Sequence, residues 1–466
     1  DHRDLHSFPT RRSSDLLWVN YLIDNPFTEE KDRGAKGLGI PVDLSLAFHT
    51  DAGVTPGDSI IGTLAIYSTA TDSAKFPDGT SRMASRDLSD IVQTEITKDI
   101  RQIYNAKWTR RGIWDRPYYE ARRPDVPAML LELLSHQNLA DQKYGLDPAF
   151  RFDVSRSVYK GILKYLAYTE NRDYIVQPLP VKDLALVPLK GKTFRLSWKP
   201  SADENEPASM PDRYLVYKRT GESGFDNGTI TDKNEFEFEI DSLNTIYSFK
   251  VTAVNDGGES FDSEVLSAGI NEKNAGNVLI VNGFDRISGP SWFDNGNMAG
   301  ISWWEDRGVA DHYDFINIGD QYDFNRQNPW LDDDSPGWGA SYSDNSGRVV
   351  AGNTFDYPYI HGKAVMAAGY SFFSVSDEYF CSSDIDNSIY NAVDLILGEG
   401  KSTSFFGDIS RIRFSIYTPE FMNKIKEITA NAKDIFMSGS YVGSDLLSFT
   451  DSTAIKFAGE YLHFMP

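Results

Sequence analysis

A single cysteine, Cys381, occurs in 466 residues, so no intrachain disulfide staples this fold and its stability has to come from buried cores. That usage suits a reducing cytoplasm and equally suits large bacterial envelope proteins whose cores need no staples. Histidine is sparse at seven residues, which confines imidazole chemistry to a few positions. Cations are the minority, 46 Lys and Arg against 68 Asp and Glu, for a formal charge of −22. This balance argues against nucleic acid and anionic membrane surfaces as partners. No apolar run reaches the roughly eighteen residues of a membrane span, so no transmembrane helix is expected. No period in the range of roughly twenty to fifty residues repeats, which excludes solenoids and propellers.

What is present points to folded domains. Hydrophobic residues make up 40% and aromatics 13% of the chain, a composition of globular proteins rather than disordered ones. The length predicts about three domains at ~150 residues each. The first sixteen residues stand apart. His6-Ser7-Phe8-Pro9-Thr10-Arg11-Arg12-Ser13-Ser14-Asp15-Leu16 reads, over eleven consecutive codons, as the translation of a short-read sequencing adapter. Residues 1–16 are therefore set aside as an adapter-derived artefact, with natural sequence expected from near Leu17. A signal peptide further upstream is compatible with such a start.

From 17 to 172, short apolar strands (Val42 to Phe48, Ile60 to Tyr67, Ala128 to Leu133) alternate with helical patterns, the signature of an α/β layer fold. Leu88, Ile91, Val92, Ile96, Ile100, Ile103 and Tyr104 keep helical spacing, and Val154 to Leu166 predicts a closing helix. Two segments carry the chemistry. Ser45-Leu46-Ala47-Phe48-His49-Thr50-Asp51 ends a strand on His49, a nitrogen donor of the kind zinc takes. Val126-Pro127-Ala128-Met129-Leu130-Leu131-Glu132 delivers a carboxylate suited to taking a proton from a metal-bound water. A strand-end histidine is also commonly satisfied by a neighbour. Glu132, costly to bury alone, could equally face water or pair with Arg111 or Arg122. His136 follows in a loop and lacks the two-histidine spacing of a helical zinc motif. His312, His361 and His463 show no ligand spacing and read as structural or exposed. Cys381 has no base near it in sequence and reads as packing.

Together the two segments, followed by Ser135-His136-Gln137-Asn138-Leu139-Ala140-Asp141, resemble the zinc-dependent N-acetylmuramoyl-L-alanine amidases of bacterial cell-wall turnover. The resemblance runs from about Leu17 to Tyr168. It implies that His49 is the last zinc ligand and Glu132 the catalytic glutamate, with Zn2+ as the metal of the intact parent enzyme. It also implies two further ligands, a His and a Glu, upstream of Ser45, where the chain offers only His2, His6, Glu29 and Glu30. The domain is accordingly expected to be the C-terminal part of an amidase domain, binding zinc weakly and showing little or no hydrolysis by itself.

Residues 178–270 switch to short alternating strands. Phe194-Arg195-Leu196-Ser197-Trp198 and Tyr214-Leu215-Val216-Tyr217 supply two, and Tyr247, Phe249, Val251 and Ala253 at period two resemble the tyrosine-corner strand of a fibronectin type III sandwich. Residues 276–466 open on Asn277 to Gly283, an apolar strand breaking into glycine, as in doubly wound parallel sheets. Ala392 to Gly400 repeats the pattern. Asp434 to Gly443 resembles the nucleophile elbow of class I glutamine amidotransferase-like domains, with Tyr441 where that family carries its cysteine. A phenol replaces an activated thiol poorly, so this domain is expected to be non-catalytic. The acidic, aromatic run Tyr322 to Tyr342 predicts a long exposed loop.

The fold class expected is thus multidomain: a truncated α/β amidase domain, an all-β fibronectin type III-like sandwich and an α/β doubly wound parallel sheet. The function expected is hydrolysis of the N-acetylmuramoyl–L-alanine amide bond, with peptidoglycan or a related glycan as partner and a periplasmic or secreted location. Two alternatives stand beside it: a polysaccharide lyase of the xanthan lyase kind, and a non-catalytic protein that binds cell wall or glycan.

Overall fold

The computed structural model describes residues 18–23, 37–55, 59–70, 72–273, 275–284, 286, 288–302, 304–306, 308, 356–382, 385–406, 408–431, 433–448 and 452–463. The adapter-like stretch, His2, His6, Glu29, Glu30, His312 and the run Tyr322 to Tyr342 lie outside the described residues. The chain divides into two compact units, one of residues 1–174 with 289–305 and the other of 175–288 with 306–466.

The first unit is built on a four-stranded sheet of β1 (Ser45–Asp51), β2 (Thr63–Tyr67), β3 (Arg110–Asp115) and β4 (Ala128–Ser135), in the order β1-β4-β2-β3. β1 and β4 are parallel, β2 and β3 are parallel, and β2 runs antiparallel to β4. One face is covered by α1 (Met83–Ile103) and α4 (Pro148–Glu170); the short helices α2 (Tyr119–Arg122) and α3 (Leu139–Gly145) flank β4. Leu88, Val92, Ile96 and Ile100 recur every four residues along α1, and all are buried, as an amphipathic helix on a sheet requires. α4 starts six residues earlier than its apolar pattern suggests. The Asp147 carboxylate accepts the Ala149 and Phe150 amides and Pro148 takes the first turn, a capping arrangement that fixes the start. Between sheet and helices, the fully buried Trp108 donates its indole N–H to Thr63 Oγ1 at 2.9 Å and packs edge-on to Tyr144.

Four strand boundaries differ from the sequence reading; among them β1 starts at Ser45 rather than Val42 and β4 ends at Ser135 rather than Leu133. β1 extends to Asp51 because its parallel pairing with β4 continues beyond Phe48, so His49 lies inside the strand rather than at its end. β2 begins at Thr63 instead of Ile60. Gly62 precedes it with φ +79°, and a Cβ there would fall 2.1 Å from the Thr109 carbonyl oxygen.

The second unit contains a twelve-stranded sheet system. Its sandwich part comprises β5 (Lys182–Pro188), β6 (Thr193–Lys199), β7 (Arg213–Thr220), β8 (Thr229–Thr231), β9 (Glu235–Glu239), β10 (Ile246–Asn255), β11 (Gly258–Glu259) and β12 (Leu266–Gly269). Phe194, Leu196 and Trp198 face Tyr247, Phe249 and Val251 in one core. The Tyr247 hydroxyl accepts the Ser242 amide at 3.0 Å, closing the corner that the resemblance to a fibronectin type III sandwich implies. Four parallel strands follow: β13 (Asn277–Asn282), β16 (Ser371–Ser376), β17 (Ala392–Ile396) and β20 (Asp434–Ser438), in the order β20-β17-β13-β16. The intervening strands β14 (Trp292–Asp294) and β15 (Ala299–Ile301) form a hairpin in the first unit, and β18 (Thr403–Phe405) and β19 (Asp408–Arg413) a separate pair. β16 also pairs antiparallel with β5 and β12. The sandwich and the parallel strands, read from sequence as separate bodies, therefore pack as one unit.

Candidate functional site

Parallel pairing of β1 with β4 sets His49 directly opposite Glu132. Neighbours paired in this way present side chains to the same face, so the two share one side of the sheet with Ala47, Leu64, Ile66 and Leu130. These last four form a small apolar cluster with Ala121 of α2. Glu132 is thus a carboxylate planted at the end of an apolar patch. Its Oε2 is buried with no hydrogen-bond partner among the described residues.

That placement governs its ionisation. Burial is the main cause raising the Glu132 pKa above its ordinary value, and the nearby Asp51 carboxylate adds to the rise; His49, Arg111 and His136 oppose it. The opposing charges are held in a defined array. Arg111 Nη1 lies 2.6 Å from Asp51 Oδ2. His136, in the bend after β4, donates its amide to the Asp51 carbonyl at 3.0 Å, and its Nδ1 lies 3.1 Å from Thr50 Oγ1. A carboxyl group that keeps its proton closer to neutrality, beside an imidazole, can accept and return a proton during hydrolysis.

His49 and Glu132 are therefore brought together. His136, read as a loop residue, comes close enough to Glu132 to lower its pKa. Arg111 pairs with Asp51 rather than with Glu132. Sequence reasoning did not single out Asp51, although it lies two residues beyond His49 on the same strand, which was the available signal. It also passed over Asp141, whose carboxylate accepts the backbone amides of Ile61, Gly62 and Ser135 and so fixes the loops at this end of the sheet.

The other candidates fall elsewhere. The half-buried Cys381 thiol is pushed up to about 12, chiefly by burial and then by Asp377 and Glu420, which makes it a poor nucleophile. His361 Nδ1 lies 2.8 Å from the buried Asp394, and His463 is exposed. Tyr441 follows β20 with Arg286 and Lys401 over its ring at 5.7 and 4.9 Å; burial foremost raises its pKa, so the phenol stays protonated. As for zinc, no group of three or more His, Cys, Asp or Glu side chains among the described residues is arranged to hold an ion. His49 supplies one donor nitrogen, and the described residues do not complete a ligand set.

An α/β unit with a partly buried carboxylate opposite a histidine on its sheet, followed by a unit containing a fibronectin-type sandwich, is the class that fold and site define. Residues 12–164 match the family model for N-acetylmuramoyl-L-alanine amidase, and residues 179–268 match the fibronectin type III domain. The chain thus carries an amidase-family domain and a fibronectin type III domain. No curated protein matches it significantly. Solved structures similar to it include the twitchin kinase region from C. elegans, at 22% identity over 19% of this chain and 16% of that one, with a TM-score of 0.18. The FN5 domain of Drosophila Lar matches at 21% identity over 20% of this chain and 96% of its own, with a TM-score of 0.16. An FN3 domain of human collagen XX matches at 18% identity over 20% and 96%, also with a TM-score of 0.16. The chain spans about a sixth of the twitchin region's length. No helix among the described residues is long and apolar enough to cross a membrane.

Proposed function

We propose that the first unit derives from a zinc-dependent peptidoglycan amidase that hydrolyses the N-acetylmuramoyl–L-alanine amide bond in cell-wall turnover. The carrying observation is Glu132, raised in pKa, with a buried and unpartnered Oε2 opposite His49, within a region matching the amidase family. In this reading Glu132 takes a proton from the water that attacks the amide carbonyl and delivers it to the departing alanine nitrogen, so the amide C–N bond and one O–H bond of water are broken while C–O and N–H bonds form. His49 is the proposed zinc ligand. Because the described residues do not complete the ligand set, no step is assigned to the metal. Peptidoglycan places the protein at the bacterial envelope, periplasmic or secreted. The second unit is assigned no catalysis: the fibronectin module spaces, and the parallel-sheet domain, amidotransferase-like in its strand pattern, carries Tyr441 in place of a thiol.

Product analysis tests this. Incubation of the full chain with purified peptidoglycan and a saturating excess of zinc is expected to release free stem peptides only slowly, since the described residues do not complete a zinc ligand set, and Glu132→Gln should abolish that release. Release of unsaturated uronic ends from a polysaccharide would instead establish the lyase. Binding without any product, in zinc-loaded protein with an unaltered fold, would establish a wall-binding protein.

A further inference from the structure

The face that carries Glu132 has a second feature. In a chain of charge −22, the stretch 110–123 holds five arginines (Arg110, Arg111, Arg116, Arg122, Arg123) against two acids (Asp115, Glu120). Part of this charge is spoken for, since Arg110 pairs with Asp90 and Arg111 with Asp51. Arg116 and Arg123 are exposed and make no carboxylate pair among the described residues. Aromatics are interleaved with them. The Arg116 guanidinium lies 5.9 Å from the Trp114 ring and that of Arg123 lies 5.0 Å from the Tyr119 ring. Trp114 is 41% and Tyr118 50% exposed.

Register places Trp114 beside the site, and Ala121, within the same stretch, packs against Leu64, Ile66 and Leu130 on the Glu132 face. Trp114 pairs with Ile66, and Ile66 pairs with Leu130, two residues before Glu132 on the same strand face. Two inter-strand spacings and two residues of rise put Trp114 about 12 Å from Glu132, the length of a few residues or sugar rings. Arg111 bridges the gap, its guanidinium 5.6 Å from the Trp114 ring and 2.6 Å from Asp51. An exposed indole flanked by guanidinium groups suits a ligand with both a sugar or peptide face to stack and carboxylates to pair.

We propose that Trp114, Tyr118, Arg116 and Arg123 form a binding surface for the carboxylate-bearing stem peptide of a peptidoglycan strand, holding it beside Glu132. This rests on the amidase reading for the identity of the ligand. The net negative charge of the whole molecule would repel a polyanion elsewhere, so local complementarity orients the strand as well as binding it.

The test measures binding rather than turnover. Full-length protein is titrated with insoluble peptidoglycan stripped of phosphate-containing polymers, its stem carboxylates either free or converted to amides with a carbodiimide and ammonia. Free carboxylates are expected to bind at least tenfold more tightly, with the advantage shrinking as salt rises. Arg116→Ala combined with Arg123→Ala should abolish that advantage, and Trp114→Ala should weaken binding to both forms. All these side chains are at the surface, so an unchanged melting temperature confirms that the fold is retained. Equal binding of both forms by the wild type, or an undiminished advantage in the double arginine variant, would overturn the proposal. Displacement by a phosphate-containing wall polymer better than by carboxylated peptidoglycan would overturn it in favour of a different anion. Carboxylate-dependent binding without stem-peptide release would leave this surface standing while the hydrolase reading fell.

Discussion

The Asp141 carboxylate accepts the Ser135 amide at 2.9 Å while also accepting those of Ile61 and Gly62 at 2.9 and 3.2 Å, so one fully buried side chain joins the end of β4 to the entry of β2. Removing it strands three N–H donors, two of them buried. Asp141→Ala is expected to destabilise the first unit by about 3 kcal/mol and to slow Glu132-dependent hydrolysis, because β4 loses its terminal anchor. Denaturant titration reads the first effect. A loss below about 0.5 kcal/mol would show that the loops are held by other means.

The contrast between Asp141 and Glu132 explains what was legible in the sequence. The strand pattern around Glu132 and the order of the two segments pointed to His49 and Glu132, which the sheet register sets opposite each other. The tyrosine corner at Tyr247 was likewise visible from the resemblance of its strand to that of a fibronectin type III sandwich. Asp141 was legible only as a position in a loop, because its role depends on backbone amides from residues far away in sequence, and no local pattern encodes them. The same holds for the Asp51–Arg111 pair, which joins the two edge strands of the sheet. Continuity of the sandwich with the parallel strands was hidden for a related reason. β16 is paired on both sides by strands from different sequence regions, and its apolar run, Phe372 to Val375, reads simply as buried strand.

Between α1 and α4, Lys160 Nζ lies 2.7 Å from Asp99 Oδ2, and both side chains are almost wholly buried. Ser157 Oγ donates to the same oxygen at 2.7 Å. Breaking one member of a buried pair leaves the other charge uncompensated. Lys160→Met is therefore expected to cost about 3–5 kcal/mol, and adding Asp99→Leu should recover most of it. Failure of the second change to rescue would locate the cost in packing instead. Next to it, a Cβ at Gly161 would fall 2.7 Å from Val92 Cα, so Gly161→Ala should cost about 1–3 kcal/mol by forcing the helices apart.

In the second unit, Arg219 Nη2 of β7 lies 2.5 Å from Asp356 Oδ2, at the start of the helix Tyr357–Ala367, and the guanidinium stacks 4.8 Å from the Tyr359 ring. Burial is the first cause raising the Asp356 pKa, and Arg219 counters it. The pair ties the sandwich to the parallel-sheet region. Arg219→Met is expected to lower stability by about 2–4 kcal/mol. Calorimetry should show the sandwich and the parallel sheet still melting in one transition at a lower temperature; separate transitions for the sandwich and the parallel sheet in the wild type, in addition to that of the first unit, would refute their cooperation.

Glu132 offers the pH-dependent test. Its folded-state pKa is raised above the ordinary 4.5, so the folded state binds a proton more tightly than the unfolded chain. The corresponding stability is fully present below the unfolded value and is lost as pH rises through the folded value. Glu132→Gln removes the ionisation while keeping the shape. Relative to wild type the variant should gain stability from about pH 4.5 upward and keep that gain at pH 8. The gain is read as a higher melting temperature of the variant at pH 8 than of the wild type. At pH 3.5, where both states are protonated in the wild type, the difference should vanish. A variant less stable than wild type at pH 8 would mean that the ionised carboxylate is compensated by His49 and Arg111 more strongly than its surroundings desolvate it. Glu132 would then be a structural anion, and its assignment as the proton carrier would fail.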